Sequence, residues 1–168
     1  ALRSSAGPLR GAGVVAVRAA WGEVAGKAAQ AIGYRGAGSI EVIVDGSDGL
    51  RPDGFWFMEM NTRLQVEHPI TEQVTGVDLV RAQIAVASGE PLPWTQDALG
   101  QRGHAIECRI CAEDPAHGFL PQAGPLLACH FPQAPGIRID AGVAAGDAIP
   151  VQYDPLVAKL VAAGATRA

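Results

Sequence analysis

The residues best suited to chemistry lie in one unbroken stretch, Glu59-Met60-Asn61-Thr62-Arg63-Leu64-Gln65-Val66-Glu67-His68-Pro69. Polar and apolar types alternate along it. Glu59, Asn61, Arg63, Gln65 and Glu67 are polar while Met60, Leu64 and Val66 are apolar, so an extended chain would line one face with all five polar groups. A solvated strand face is the plain reading. The other reading is functional: carboxylate oxygens for a hard cation, the planar Arg63 fork for a small oxyanion such as carbonate, and Glu67 as a general base. His68 precedes Pro69, which should keep it out of helical geometry, and it reads as a structural hydrogen-bonding residue rather than a catalyst.

The element that must position these groups begins upstream. Ile40 to Val44 and Phe55 to Met60 are rich in strand formers, with turn formers from Asp45 to Gly54 between them, so a β-hairpin with a long tip is expected. A turn centred on Leu50 sets Glu41 opposite Glu59. Opposed side chains in an antiparallel pair have Cβ atoms about 4.5 to 5.5 Å apart, where like charges destabilise the sheet unless something positive lies between them. Mg²⁺ held by Glu41, Glu59 and the Asn61 carbonyl answers that problem; acids that splay into water are the alternative.

Around the hairpin, Val14, Val17, Ala20, Trp21, Val24, Ala28 and Ile32 recur at helical spacing and Gly33 is a plausible C-cap, so an amphipathic helix precedes the Gly36 to Gly38 turn. Residues 1–13 have no clear period and read as a ragged start. Asp78 should cap a helix from Leu79 to Ser88 that stops at Gly89, with Pro91 and Pro93 beyond. A boundary is expected near Arg102, giving modules 1–102 and 103–168. In the second, the apolar runs Ala105 to Ile110, Leu126 to Phe131, Gly136 to Ile139 and Leu156 to Val161 alternate with Pro and Gly turns, the pattern of a small β-rich domain.

Composition narrows the partners. The 168 residues are 48% hydrophobic with a net charge of -4, which lacks the basic footprint of a nucleic-acid binder, and no run of like charge suggests a membrane surface. No apolar stretch reaches the roughly 20 residues of a spanning helix, and a cytoplasmic protein is expected. Three cysteines, an odd number, speak against a disulfide framework and fit a reducing compartment. Cys108 and Cys111 with Cys129 and His130 could on paper bind zinc, but positions three apart on a strand face opposite sides, so buried or incidental thiols are the preferred reading.

Taken together, EMNTRLQVEHPITE, RGHAIECRICAEDP, FLPQAG and YDPLVAKL resemble the biotin carboxylase subunit or domain of biotin-dependent acyl-CoA carboxylases, over about Trp21 to Gly164. The Glu-x-Asn pair is common to ATP-grasp ligases, whereas the R-x-Q-V-E-H continuation is particular to the bicarbonate- and biotin-using branch. The resemblance implies an α/β (α+β) fold: the C-terminal half of an ATP-grasp domain over 1–102, then a small β-rich biotin carboxylase C-terminal domain, incomplete, over 103–168. It implies that Glu41, Glu59 and Asn61 hold Mg²⁺ (or Mn²⁺) on the ATP phosphates, and that Ile43 lies against the adenine. Arg63, Gln65 and the Val66 backbone would bind bicarbonate, and Glu67 would take its proton, giving carboxyphosphate. Arg109 would stabilise the enolate-like biotin that accepts CO₂. Biotin would arrive on a carboxyl carrier protein, a separate carboxyltransferase would choose the acyl-CoA, and the parent would be a homodimer.

The same resemblance sets expectations for what is missing. The family's N-terminal nucleotide-fold domain, its Gly-rich lid and a final C-terminal stretch have no counterpart here, residues 1–18 match poorly, and the Asp45 to Gly54 tip is long. A fragment or truncated product, inactive alone and prone to aggregate, is therefore expected. Two rivals stand: another ATP-grasp ligase of the carbamoyl phosphate synthetase kind, which Gln65, Glu67 and RGHAIECRICAEDP oppose, and a non-catalytic assembly module.

Overall fold

A computed structural model describes residues 12–47 and 49–167. The chain is mixed α/β and divides into two compact units, Ala1–Gln101 and Arg102–Ala168.

In the first unit, helix α1 (Ala12–Ala31) is followed by strands β1 (Ser39–Val44) and β2 (Phe55–Asn61), then by helices α2 (His68–Thr75) and α3 (Leu79–Ala87). Helical spacing located α1, and Gly33 ends it with a φ of 62° that glycine adopts without steric cost. Val17 is fully buried and Trp21 meets Phe55 of β2 edge-on at 5.9 Å, so this face of the helix packs on the hairpin. Val24 and Ile32, expected on that same face, are exposed instead. The ragged start lies largely outside the described residues.

Strands β1 and β2 pair antiparallel and Glu41 stands opposite Glu59, the pair expected from a turn centred on Leu50, although the pairs nearest the tip, Val44 with Phe55 and Ile43 with Trp56, lie one residue off that centre. The register then shifts: Val42 faces Phe57, so Met58 is the extra residue of a β-bulge. Beyond Asn61 the expectation of one extended polar stripe fails. The chain leaves the strand, bends through residues 62–67 and enters α2. That helix overturns a second expectation, because His68 is its first residue. Proline is tolerated in a first helical turn, where its missing N–H would have had no intrahelical partner, and Pro69 is buried there. Gly76 closes α2 in the left-handed region with its N–H donating to Glu72 O at 2.8 Å. The Glu72 side chain accepts from Leu79 N at 2.8 Å and Asp78 accepts from Arg81 N at 2.8 Å, so both satisfy the start of α3.

In the second unit, β3 (His104–Cys111), β7 (Ile137–Ala141) and β9 (Leu156–Gly164) form an antiparallel sheet in the order β3-β9-β7. Two-residue ribbons join β4 (Glu113–Asp114) to β5 (Leu120–Pro121) and β6 (Gly124–Pro125) to β8 (Ala148–Ile149). Ala158, Val161 and Ile149 are the buried apolar residues of this unit. The apolar run Leu126 to Phe131 forms no strand: the Leu126 backbone bonds to Asp147 and Gly146, and Leu127 is almost wholly exposed.

Candidate active site

The first unit gathers the polar residues around the open end of the hairpin. On β1, Ser39, Glu41 and Ile43 alternate onto one side. Glu59 and Asn61 share that side, because paired residues of a ladder point the same way. The Asn61 amide nitrogen donates to Glu41 Oε1 at 2.9 Å and to Glu59 Oε1 at 2.9 Å. Two N–H donors thus lie between carboxylates that would otherwise repel. Glu41 and Asn61 are half-buried and Glu59 is exposed, so the oxygens converge on a spot that opens to solvent.

The bulge creates this convergence. Counted from the tip, where Asp45 N donates to Gly54 O at 3.0 Å, an unbroken ladder would bring Met58 opposite Glu41 and turn Glu59 to the other face. Two carboxylates and a carboxamide within hydrogen-bond reach are the donor set that suits Mg²⁺, a hard cation that commonly keeps several waters. No three His, Cys, Asp or Glu side chains gather for a metal among the described residues, and the candidate set here is two acids and an amide. All three cysteines are free thiols.

Past the strand, the other residues are tied to this cluster in series. Arg63 donates to Gln65 Oε1 at 2.9 Å and to Leu64 O at 3.2 Å, while the Gln65 amide nitrogen donates to the Ser39 hydroxyl. The Gln65 carbonyl accepts the His68 backbone N–H at 3.2 Å and lies 2.9 Å from His68 Nδ1. His68 is thereby a hydrogen-bonding residue that fixes the turn into α2. Val66 is half-buried in that turn; Glu67 is exposed at the N-cap of α2, where its side chain does not cap the helix. Ile43, 58% exposed, lies opposite Trp56 at the apolar end of the same side. Gly38 has a packing reason, since a Cβ there would sit 3.0 Å from Asn61 O and 3.2 Å from the Tyr34 ring.

Arg109 belongs to the second unit, where it is exposed on the edge strand β3. It stands opposite Lys159, which in turn stands opposite Asp140 of β7. Sequence reasoning passed over Lys159 and Ser39. Lys159 is the buried charge of the YDPLVAKL run, and Ser39 is the residue that the hairpin register pairs with Asn61.

A fold with two opposed acids, a bridging amide and an adjoining guanidinium can hold a cation beside a small oxyanion. Known proteins share this sequence and fold. Residues 15–95 match the family model of the carbamoyl-phosphate synthase L chain, ATP binding domain, and residues 107–168 match that of the biotin carboxylase C-terminal domain. The biotin carboxylase of Nostoc sp. is 53% identical over 152 residues, which is 90% of this chain and 33% of that one. The mitochondrial methylcrotonoyl-CoA carboxylase subunit alpha of mouse is 51% identical over 146 residues, or 86% of this chain and 20% of the mouse chain. Among solved structures, the biotin carboxylase domain of a thermophilic 2-oxoglutarate carboxylase bound to bicarbonate superposes with a TM-score of 0.82 at 43% identity, covering 89% of this chain and 33% of the other. The chain is similar in sequence and fold to part of the biotin carboxylases, and it spans about a third of the length of the Nostoc relative it matches.

Proposed function

We propose that this chain supplies the metal-, bicarbonate- and base-bearing part of a biotin carboxylase, the ATP-dependent ligase that converts ATP, bicarbonate and biotin on a carrier protein into carboxybiotin, ADP and phosphate. The observation that carries the reading is the bulged hairpin, which brings Glu41, Glu59 and Asn61 to one spot and continues through Ser39 and Gln65 to Arg63. The bicarbonate and MgADP named with a related biotin carboxylase domain, solved as a dimer, support the same ligands here.

In this reading 1–102 is the C-terminal part of an ATP-grasp domain and 103–168 is an incomplete biotin carboxylase C-terminal domain. Glu41, Glu59 and the Asn61 carbonyl hold the divalent ion, with the Asn61 amide turning from donor to acceptor as it does so. When bound, Mg²⁺ neutralises charge on the ATP phosphates. Ile43 offers an apolar surface to the adenine. The Arg63 fork, the Gln65 amide and the Val66 backbone bind bicarbonate; Glu67 removes its proton, so that carbonate oxygen attacks the γ-phosphorus and ADP leaves. Arg109 stabilises the enolate-like biotin, an electrostatic contribution of about 3 to 4 kcal/mol for a well-placed donor. Partners are the biotin carboxyl carrier, a carboxyltransferase that selects the acyl-CoA, and a second copy of the parent. The odd number of cysteines, three, supports a reducing compartment, and we place the protein in the cytoplasm.

The test is ADP release by a protein carrying this sequence at the length of its relatives, with bicarbonate and biotin added singly and together. Biotin-stimulated, bicarbonate-dependent release, lost in Glu67→Gln and absent from the 168-residue chain alone, is the expected result. Bicarbonate dependence without any biotin stimulation would move the assignment to a carbamoyl phosphate synthetase-like ligase, the class named by the family model over residues 15–95.

A further inference from the structure

The residues proposed to bind bicarbonate lie outside regular structure. Arg63 and Gln65 follow β2 after it ends at Asn61 and precede α2, so no strand ladder fixes their side chains. A side-chain bond ties this turn back to the sheet: the Gln65 amide nitrogen donates to the hydroxyl of Ser39, the first residue of β1. Both residues are half-buried, and Ser39 is the register partner of Asn61. One residue therefore touches both ends of the site, Asn61 through the backbone ladder and Gln65 through its hydroxyl.

The chemistry of the groups orders this chain. A guanidinium only donates, so its 2.9 Å bond to Gln65 requires the amide oxygen to face Arg63. The amide nitrogen must then point the other way, toward Ser39. Of its two hydrogens the hydroxyl takes one, and an oxyanion lying against Arg63 can take the second. Without an acceptor at position 39 the amide is free to swing, and the guanidinium loses the fixed oxygen that orients it.

We propose that Ser39 is a positioning residue for bicarbonate, holding the Gln65 amide and through it Arg63 in the orientation that receives the anion. This rests on the biotin carboxylase reading, and the experiment separates the two. In a protein carrying this sequence at the length of its relatives, ADP release is measured against bicarbonate and against ATP for wild type, Ser39→Ala, Ser39→Thr, Gln65→Ala, the Ser39→Ala/Gln65→Ala double variant and Glu67→Gln. Ser39→Ala is expected to raise the KM for bicarbonate about five- to tenfold, the scale of one hydrogen bond, with the KM for ATP changed less than about twofold. Ser39→Thr restores the wild-type value, and the double variant is no worse than Gln65→Ala, because the two act as one unit. Should Ser39→Ala reduce the soluble yield, Ser39→Cys, with a weaker acceptor of similar size, gives the same readout.

An unchanged KM for bicarbonate in a folded Ser39→Ala protein, or equal rises for both substrates, overturns the proposal. If Glu67→Gln still abolishes bicarbonate-dependent release, the functional reading survives that result. Wild-type protein with no bicarbonate-dependent release would overturn both.

Discussion

Asn61 settles a conflict that its neighbours create. Glu41 and Glu59 would repel across the ladder, and the carboxamide gives each of them a hydrogen. Asn61→Asp removes both donors and adds a third carboxylate to the same spot. In EDTA this variant should lose about 1 to 3 kcal/mol of stability, the cost of uncompensated polar groups, and millimolar Mg²⁺ should restore more of its denaturant midpoint than it adds to wild type. A midpoint equal to wild type in EDTA would show that the amide does not reconcile the acids. The opposed pair was legible in the sequence only through a turn taken to centre on Leu50; the tip pairs lie one residue off that centre, and the residue skipped at Met58 makes up the difference. The importance of Ser39 was not, since a serine at a strand start is common and only its bond to Gln65 singles it out.

Elements differ in how much of themselves they announce. Helices α1 and α3 were readable from apolar spacing and from Asp78, while α2 was hidden: Pro69 reads as a break, and eight residues hold too few apolar repeats to show a period. The alternation after Asn61 mimicked a strand although the chain turns there, because period-two polarity says nothing of whether a backbone partner exists. Bulges are equally silent in a sequence, so the residue skipped at Met58 could not be foreseen.

Strands β7 and β9 hold a testable ion network. Arg138 donates to Asp140 at 2.7 and 2.9 Å and Lys159 lies 3.4 Å away, so Arg138 above all keeps the Asp140 carboxyl below the usual aspartate range against a partial burial that raises it. A carboxyl with a lowered folded pKa contributes its full stability above the unfolded value of about 3.9 and loses it as the pH falls through the folded value. Asp140→Asn should therefore cost about 1 kcal/mol at pH 7 and narrow the gap between urea midpoints at pH 7 and pH 3. An unchanged gap would remove Asp140 from the acid response.

At the scale of the whole molecule, apolar surface is left uncovered. On the hairpin Ile43 and Trp56 are each 58% exposed and Phe57 is 61% exposed, on a sheet of two strands that is too small to be stable unless something packs on it. The 168-residue chain on its own should self-associate, and Trp56→Ser with Phe57→Ser should shift it toward monomer in sedimentation. Monodisperse wild-type chain with two-state unfolding would count against this. The run Leu126 to Phe131, which forms no strand, shows that an apolar run among prolines does not guarantee a partner.

The bulge at Met58 also bears on how such a site tolerates change over generations. Val44 and Phe55 close the ladder at the tip, and the skipped residue lies on the site side of that closure, so the meeting of Glu41 with Glu59 is set between the closure and the acids and is indifferent to the number of residues beyond it. Insertions and deletions in the tip can therefore accumulate as neutral variation. A single residue gained or lost between Phe55 and Glu59 replaces an acid with a neighbour, and selection should hold that interval to its length even where it is free to change the side chains.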